Sequence, residues 1–299
     1  MPNQADVLWF KTQFQPTIAA AIAGTPFSVD MITAFACQET GEVWPTLRRQ
    51  GLPTKRILEL CVGDTLDDTG GRGAFPKNKA ELLAAPNGAR MFKVARQALV
   101  DMASSIPAYR SVAARPDKFC HGFGIFQLDL QFFKTEPDYF LDKRYADFGA
   151  ALGKCVAELK AAMQRMGWQG KTTLTDLEQA GVAIAYNTGR YNPAKGLKQG
   201  YFDGSKYYGE NYYAYLQLAA STVPPSAVPR GAPRKKRATR KTPGKKVAAR
   251  KVVAKKVAAK NATVKKATVK KIGAKKAATK KAATKKVAAK RAPAKSRGK

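Results

Sequence analysis

CHGFGIFQLDLQFFK, residues 120–134, is the stretch on which the reading of the chain turns, and it contains the only histidine, His121. Gly122 and Gly124 allow a sharp turn or a close backbone approach to a ligand. Leu128, Leu130 and Phe132 alternate with Gln127, Asp129 and Gln131. A period of two predicts a short extended segment with the three polar residues on one face. A carboxylate between two carboxamides, framed by aromatic rings, suits a polar, ring-shaped ligand such as a sugar. The same residues also suit a turn beside a small sheet edge.

Upstream, apolar spacing predicts a helix over 5–14 and a second one opened by Pro16 and stopped by Gly24. Ser28 is a natural N-cap for the next helix, over about 29–38, which Thr40 and Gly41 end. Glu39 follows an apolar run, AFACQ, and shares a face with Phe35 and Ala36. The negative end of the helix dipole and desolvation both push its pKa upward. Residues 45–118 read as mostly helical. Within them, 64–72 (DTLDDTGGR) reads as a flexible polar loop with too few ligands for calcium. Asn78 with Glu81 resembles a capping box, and Asn87 can cap a helix to about Met102.

Downstream, Asp147 can cap a helix that Gly167 stops, with Leu152, Val156, Leu159 and Met163 on its inner face. Thr175 and Glu178 form a capping box for a helix running into Ala185-Tyr186-Asn187. A last helix, about 211–220, follows a loop carrying Tyr201, Phe202, Tyr207 and Tyr208. These rings suit either stacking on sugars or closing the domain.

Charge divides the chain. Residues 230–299 carry 29 Lys or Arg and no Asp or Glu, out of 54 basic and 21 acidic residues in all. The preceding part is therefore only mildly basic. Few large apolar residues and unbalanced charge predict a disordered tail over 222–299. Its lysine pairs in alanine-rich near-repeats resemble linker-histone tails, and it should bind polyanions by counterion release. DNA, RNA, lipopolysaccharide and anionic wall polymers all fit. Cys37, Cys61, Cys120 and Cys155 form no CxxC pair and read as small buried hydrophobes, with no metal or other cofactor expected.

Three blocks occur in order: CQETG with Glu39, GFGIFQLD, and AYNTG. Together they resemble the lysozyme-like superfamily, and within it goose-type lysozymes and soluble lytic transglycosylases, over about residues 1–220. The resemblance implies a mainly α lysozyme-like domain over 1–221 with a very small β element. It also implies cleavage of the β-1,4 bond between N-acetylmuramic acid and N-acetylglucosamine in peptidoglycan strands. By position, Glu39 is implied as the general acid and Asp129 as a second carboxylate that positions water. Thr40, Gln127, Tyr186, Asn187 and, more loosely, Tyr212 are implied as groove residues. Thr40 stands where these families usually have serine, and 45–118 is an insertion relative to goose-type enzymes. A lytic transglycosylase forming 1,6-anhydro products, or a histone-like nucleic-acid-binding protein on a lysozyme-like scaffold, are the alternatives.

No run is apolar enough to span a membrane, and no signal peptide is apparent. The expectation is a monomer made in the cytoplasm that reaches the wall after lysis or by a dedicated export route.

Overall fold

Ser28, whose side chain accepts from Met31 N, opens the helix around which the others pack. The computed structural model describes residues 1–66 and 72–224. In chain order the elements begin with α1 (Gln4–Ala21), α2 (Val29–Thr40), α3 (Trp44–Arg49), α4 (Thr54–Leu60) and β1 (Val62–Leu66). They continue with α5 (Lys79–Ala84), α6 (Gly88–Ser105), α7 (Arg110–Ala113), β2 (Phe119–Phe123) and β3 (Leu128–Asp129). The last are α8 (Pro137–Leu141), α9 (Phe148–Arg165), α10 (Asp176–Thr188) and α11 (Tyr208–Ser221). The fold is mainly α, as expected, with one small antiparallel sheet in the order β1-β2-β3.

Met31 through Cys37 are all buried, so α2 has no solvent face over two turns and behaves as a core helix. α1 and α11 pack against it, α11 most closely, and α10, which packs on α9 and α11, reaches it through Tyr186. Phe35 meets Tyr186 and Tyr212 edge-on at 5.3 and 4.9 Å between ring centres. Lys11, 5% exposed, joins three elements: its Nζ donates to Ala219 O at 2.6 Å and Thr222 O at 2.7 Å, and pairs with Asp30 at 2.5 Å. A lysine thus satisfies the carbonyl end of α11 and the first turn of α2 together, which fixes the two helices against each other. Fully buried Asp6 does the same for α1 and α3 through Arg48 and Arg49, both at 2.8 Å.

Three local expectations change. Pro16 lies inside α1 instead of opening a second helix. Its missing N–H costs one hydrogen bond, and buried Phe10, Phe14 and Ile18 hold the turns on either side of it. Residues 45–118 are helical in α3 to α7 but also supply β1, so Asp64, expected in a polar loop, stands in a strand. The extended segment after Phe126 is only two residues long. β3 covers Leu128–Asp129 and gives way to a 3₁₀ turn, Leu130–Lys134, so Gln127, Asp129 and Gln131 do not line one face.

The sheet register pairs Val62 with Phe123, Gly63 with Gly122, Thr65 with Cys120 and Leu66 with Phe119. Asp64 therefore stands opposite His121. On the other side of β2, Gly122 pairs with Asp129 and Phe123 with Leu128. The four cysteines are buried free thiols. Among the described residues no helix is long and apolar enough to cross a membrane. The Lys/Ala-rich tail beyond 224 lies outside the described residues.

Candidate active site

The apolar run of α2 ends by carrying Glu39 to a cleft of about 330 Å³. The cleft is lined by the last turn of α2, the start of β1, Gln127, and the start of α11 with the loop before it. Burial drives the Glu39 carboxyl up to about 8, against a smaller downward pull from its hydrogen bond to Tyr208 and a further push from Asp64. Tyr208 Oη donates to Glu39 Oε1 at 2.6 Å. That leaves Oε2 to carry the acid proton, so at neutral pH Glu39 is a poised proton donor.

Asp64 lines the same cleft but is exposed. Its backbone φ of +40° is unusual for a residue with a side chain, and it falls within β1. Such a conformation is kept only where neighbouring structure imposes it. Here the flanking ladder pairs, Gly63 with Gly122 and Thr65 with Cys120, supply that constraint. A shielded carboxyl and an exposed one thus share one cleft.

Thr40 and Gln127, both expected in the groove, line the cleft as well. Thr40 Oγ1 donates to Ile125 O at 2.7 Å, tying the end of α2 to the turn after β2. Gln127, at φ +51°, turns back so that its Nε2 donates to Gly124 O at 2.8 Å. Its Oε1 lies over the paired glycines of β1 and β2. A Cβ at Gly63 or Gly122 would come within 2.6 or 2.3 Å of that oxygen, so either substitution would push the Gln127 carboxamide out of its place.

The other expected site residues lie elsewhere. Asp129 is not among the cleft residues. Its oxygens are taken by Arg72 at 2.5 and 2.7 Å, by the His121 ring at 3.0 Å and by Gln131 N at 2.7 Å. Burial would raise its carboxyl, but these hydrogen bonds outweigh that and hold it at about 2. It is an ion-pair anchor for the chain after β1. Tyr212 is fully buried, its hydroxyl donating to Met31 O at 3.1 Å behind α2. Tyr186 spends its hydroxyl on Phe126 O at 2.9 Å. Asn187 is exposed near the end of α10, beside Gly200.

Asp64 and Tyr208 are the site residues that sequence reasoning missed. Asp64 had a signal in CVGD, where an apolar pair and a glycine precede it as in a strand that pairs closely. Tyr208 was named only as one of several loop aromatics, and its place at the first turn of α11 is the distinguishing mark.

Gln38, Glu42, Asp203, Asn211, Tyr109, Tyr201 and Tyr215 also line it. Among the described residues four carboxyl groups and no lysine or arginine side chain line the cleft, which disfavours a polyanion there. A larger groove of about 840 Å³ between α9 and residues 24–26 contains no carboxyl group. Among the described residues no cluster of His, Cys, Asp and Glu could hold a metal ion. No protein-family model, no curated protein and no solved structure matches the chain.

Proposed function

We propose that the chain is a peptidoglycan-cleaving glycosidase of lysozyme type, acting on the β-1,4 bond between N-acetylmuramic acid and N-acetylglucosamine. The observation that carries this reading is Glu39: a shielded carboxyl at a helix end, pushed up to about 8 by burial, that lines one cleft together with the exposed Asp64. The choice of peptidoglycan rests on the three-block resemblance, and the absence of basic residues in the cleft favours a glycan over nucleic acid there.

In the first step Glu39 passes its proton to the glycosidic oxygen while the bond to C1 breaks, leaving positive charge on the sugar ring. Tyr208 fixes which carboxyl oxygen faces the substrate. In the second step Asp64 takes a proton from water, which attacks C1 from the opposite ring face and gives a reducing sugar of inverted configuration. Asp64 thus fills the role that the resemblance assigns to Asp129. If no base assists, the substrate's own 6-hydroxyl closes on C1 instead, and the product is a 1,6-anhydro sugar. The exposed carboxylate of Asp64 favours hydrolysis.

The basic region 230–299 serves as a separate polyanion-binding segment, which concentrates the catalytic domain at an anionic surface.

Purified peptidoglycan digested with the full chain, followed by mass spectrometry of the soluble products, tests the reading. Reducing muropeptides from wild type and none from a folded Glu39→Gln variant are expected. Anhydro products, one water lighter, would overturn the hydrolytic step, and equal release by both proteins would overturn the role of Glu39.

A further inference from the structure

The cleft continues past Glu39 onto a small hairpin whose most prominent side chain has no structural task. Tyr208 N donates to Tyr201 O at 2.7 Å, Phe202 and Tyr207 form an antiparallel bridge, and Asp203 N donates to Lys206 O at 3.1 Å. The turn is locked by Asp203: its Oδ1 accepts from Ser205 N at 2.7 Å and Lys206 N at 2.9 Å, and its Oδ2 accepts from Asn211 Nδ2 at 2.8 Å. The Phe202 and Tyr207 rings pack at 4.9 Å. At the root, Gly200 has φ +86°, and a Cβ there would come 2.6 Å from Tyr208 Cβ and 3.1 Å from Asn187 Oδ1. The hairpin is thus seated on the same tyrosine that holds Glu39.

Tyr201 lines the cleft and is 74% exposed. Other tyrosines around Glu39 spend their rings or hydroxyls on the protein: Tyr208 on Glu39, Tyr212 on Met31, Tyr186 on Phe126. A large apolar ring held out to water on a rigid backbone loses little entropy when a partner covers it, so it is preorganised for contact. Asp203, Asn211 and Tyr215 line the same cleft.

We infer that Tyr201 is the platform of a sugar subsite next to the bond that is cut, stacking on the apolar face of an N-acetylated hexosamine ring. This rests on the glycan-cleaving reading of the same cleft. The carboxyl groups of the lining, with no lysine or arginine side chain among the described residues, disfavour a phosphate-bearing ring, and the exposed aromatic face suits a flat apolar one.

The test compares full-length wild type with Tyr201→Ala, Tyr201→Phe and Tyr201→Trp. Leu177→Ala, an exposed apolar residue outside the cleft, is the control. Steady-state cleavage of soluble peptidoglycan glycan strands is measured, together with binding of the N-acetylglucosamine tetramer to the same variants carrying Glu39→Gln. Tyr201→Ala should raise KM and the tetramer Kd by about tenfold with kcat within roughly threefold, while Phe, Trp and Leu177→Ala stay near wild type. Unchanged KM and Kd in Tyr201→Ala would overturn the platform while leaving the glycosidase intact. Loss of kcat alone would also overturn it, as a structural effect on Glu39. If wild type cleaves no strands, the cleavage reading fails by itself, and tetramer binding still decides: tenfold weakening supports the platform, and no binding by any variant overturns it.

Discussion

Replacing Glu39 by Gln should make the protein more stable as the pH rises, and the size of that gain follows from the cleft. The carboxyl moves from 4.5 in the unfolded chain to about 8 in the fold, mainly through burial. The folded protein therefore keeps a proton that the unfolded chain releases, and the sign is fixed. The stability contribution is complete below the unfolded value and is lost as pH rises toward and through about 8. If the carboxyl were wholly shielded, the loss between pH 5 and pH 9 would be about 4 kcal/mol at 1.36 kcal/mol per unit. Because Glu39 opens on a solvated cleft, about 2 kcal/mol is the lower figure. Glu39→Gln removes the titration but keeps an oxygen that accepts from Tyr208. Urea denaturation of wild type and variant at a series of pH values reads the difference directly. Other ionisable groups, including every lysine of 230–299, are common to both proteins and cancel. The variant's advantage should grow by about 2–4 kcal/mol from pH 5 to pH 9, while its glycan cleavage is absent at every pH. The basic limb of wild-type kcat/KM should lie near pH 8. A stability difference flat with pH would show that Glu39 ionises as in water, and the acid assignment would then fail with it.

Asp64→Asn should keep the fold, since asparagine tolerates positive φ, yet lower hydrolysis by about 10²-fold or more in a reducing-sugar assay. Asp129→Asn should do the opposite, costing about 1–2 kcal/mol in urea unfolding by unpairing Arg72 while cleavage per folded molecule changes little. Tyr208→Phe removes a hydrogen bond that lowers the Glu39 carboxyl, so the basic limb of its pH–rate profile should move upward. A chain ending at Pro224 should cleave short soluble glycans like full-length protein and lose polyanion binding. In the full chain, neutralising 6–10 phosphates predicts an affinity drop of roughly 10³–10⁵ between 50 and 200 mM salt, measured by fluorescence anisotropy on DNA.

What the sequence carried and what it hid divide along local and non-local physics. Ser28 with its apolar run and Gly41, Asp147, and Thr175 with Glu178 place α2, α9 and α10 within a few residues, because capping and apolar period act inside one element. Glu39 was readable for the same reason: an acid behind a core helix is shielded wherever that helix lies. β1 was not readable, because Val62–Leu66 is a strand only through pairing with Phe119–Phe123, far along the chain. The alternation after Phe126 misled because Gln127 takes a positive φ, which sends its side chain over Gly63 and Gly122 and frees Asp129 to turn toward Arg72. Tyr186 and Tyr212 looked like groove residues, but their hydroxyls complete buried backbone carbonyls.

The two aspartates make the point most sharply. Asp129 sits in the block that resembles a known active site, and Asp64 sits in a stretch that reads as an ordinary polar turn. Residue type does not separate them, since either carboxylate can serve as a base. Surroundings do: an arginine and a histidine hold Asp129 well below the usual carboxylate range, whereas Asp64 is exposed and lines the cleft that also holds Glu39. A base must be able to accept a proton in the working range of its acid partner. Asp129, held at about 2 by three charged or polar neighbours, would have to break its ion pair to do so. The different surroundings of the two aspartates are therefore set by β1 pairing and by one arginine, Arg72, neither of which any single stretch of the chain displays.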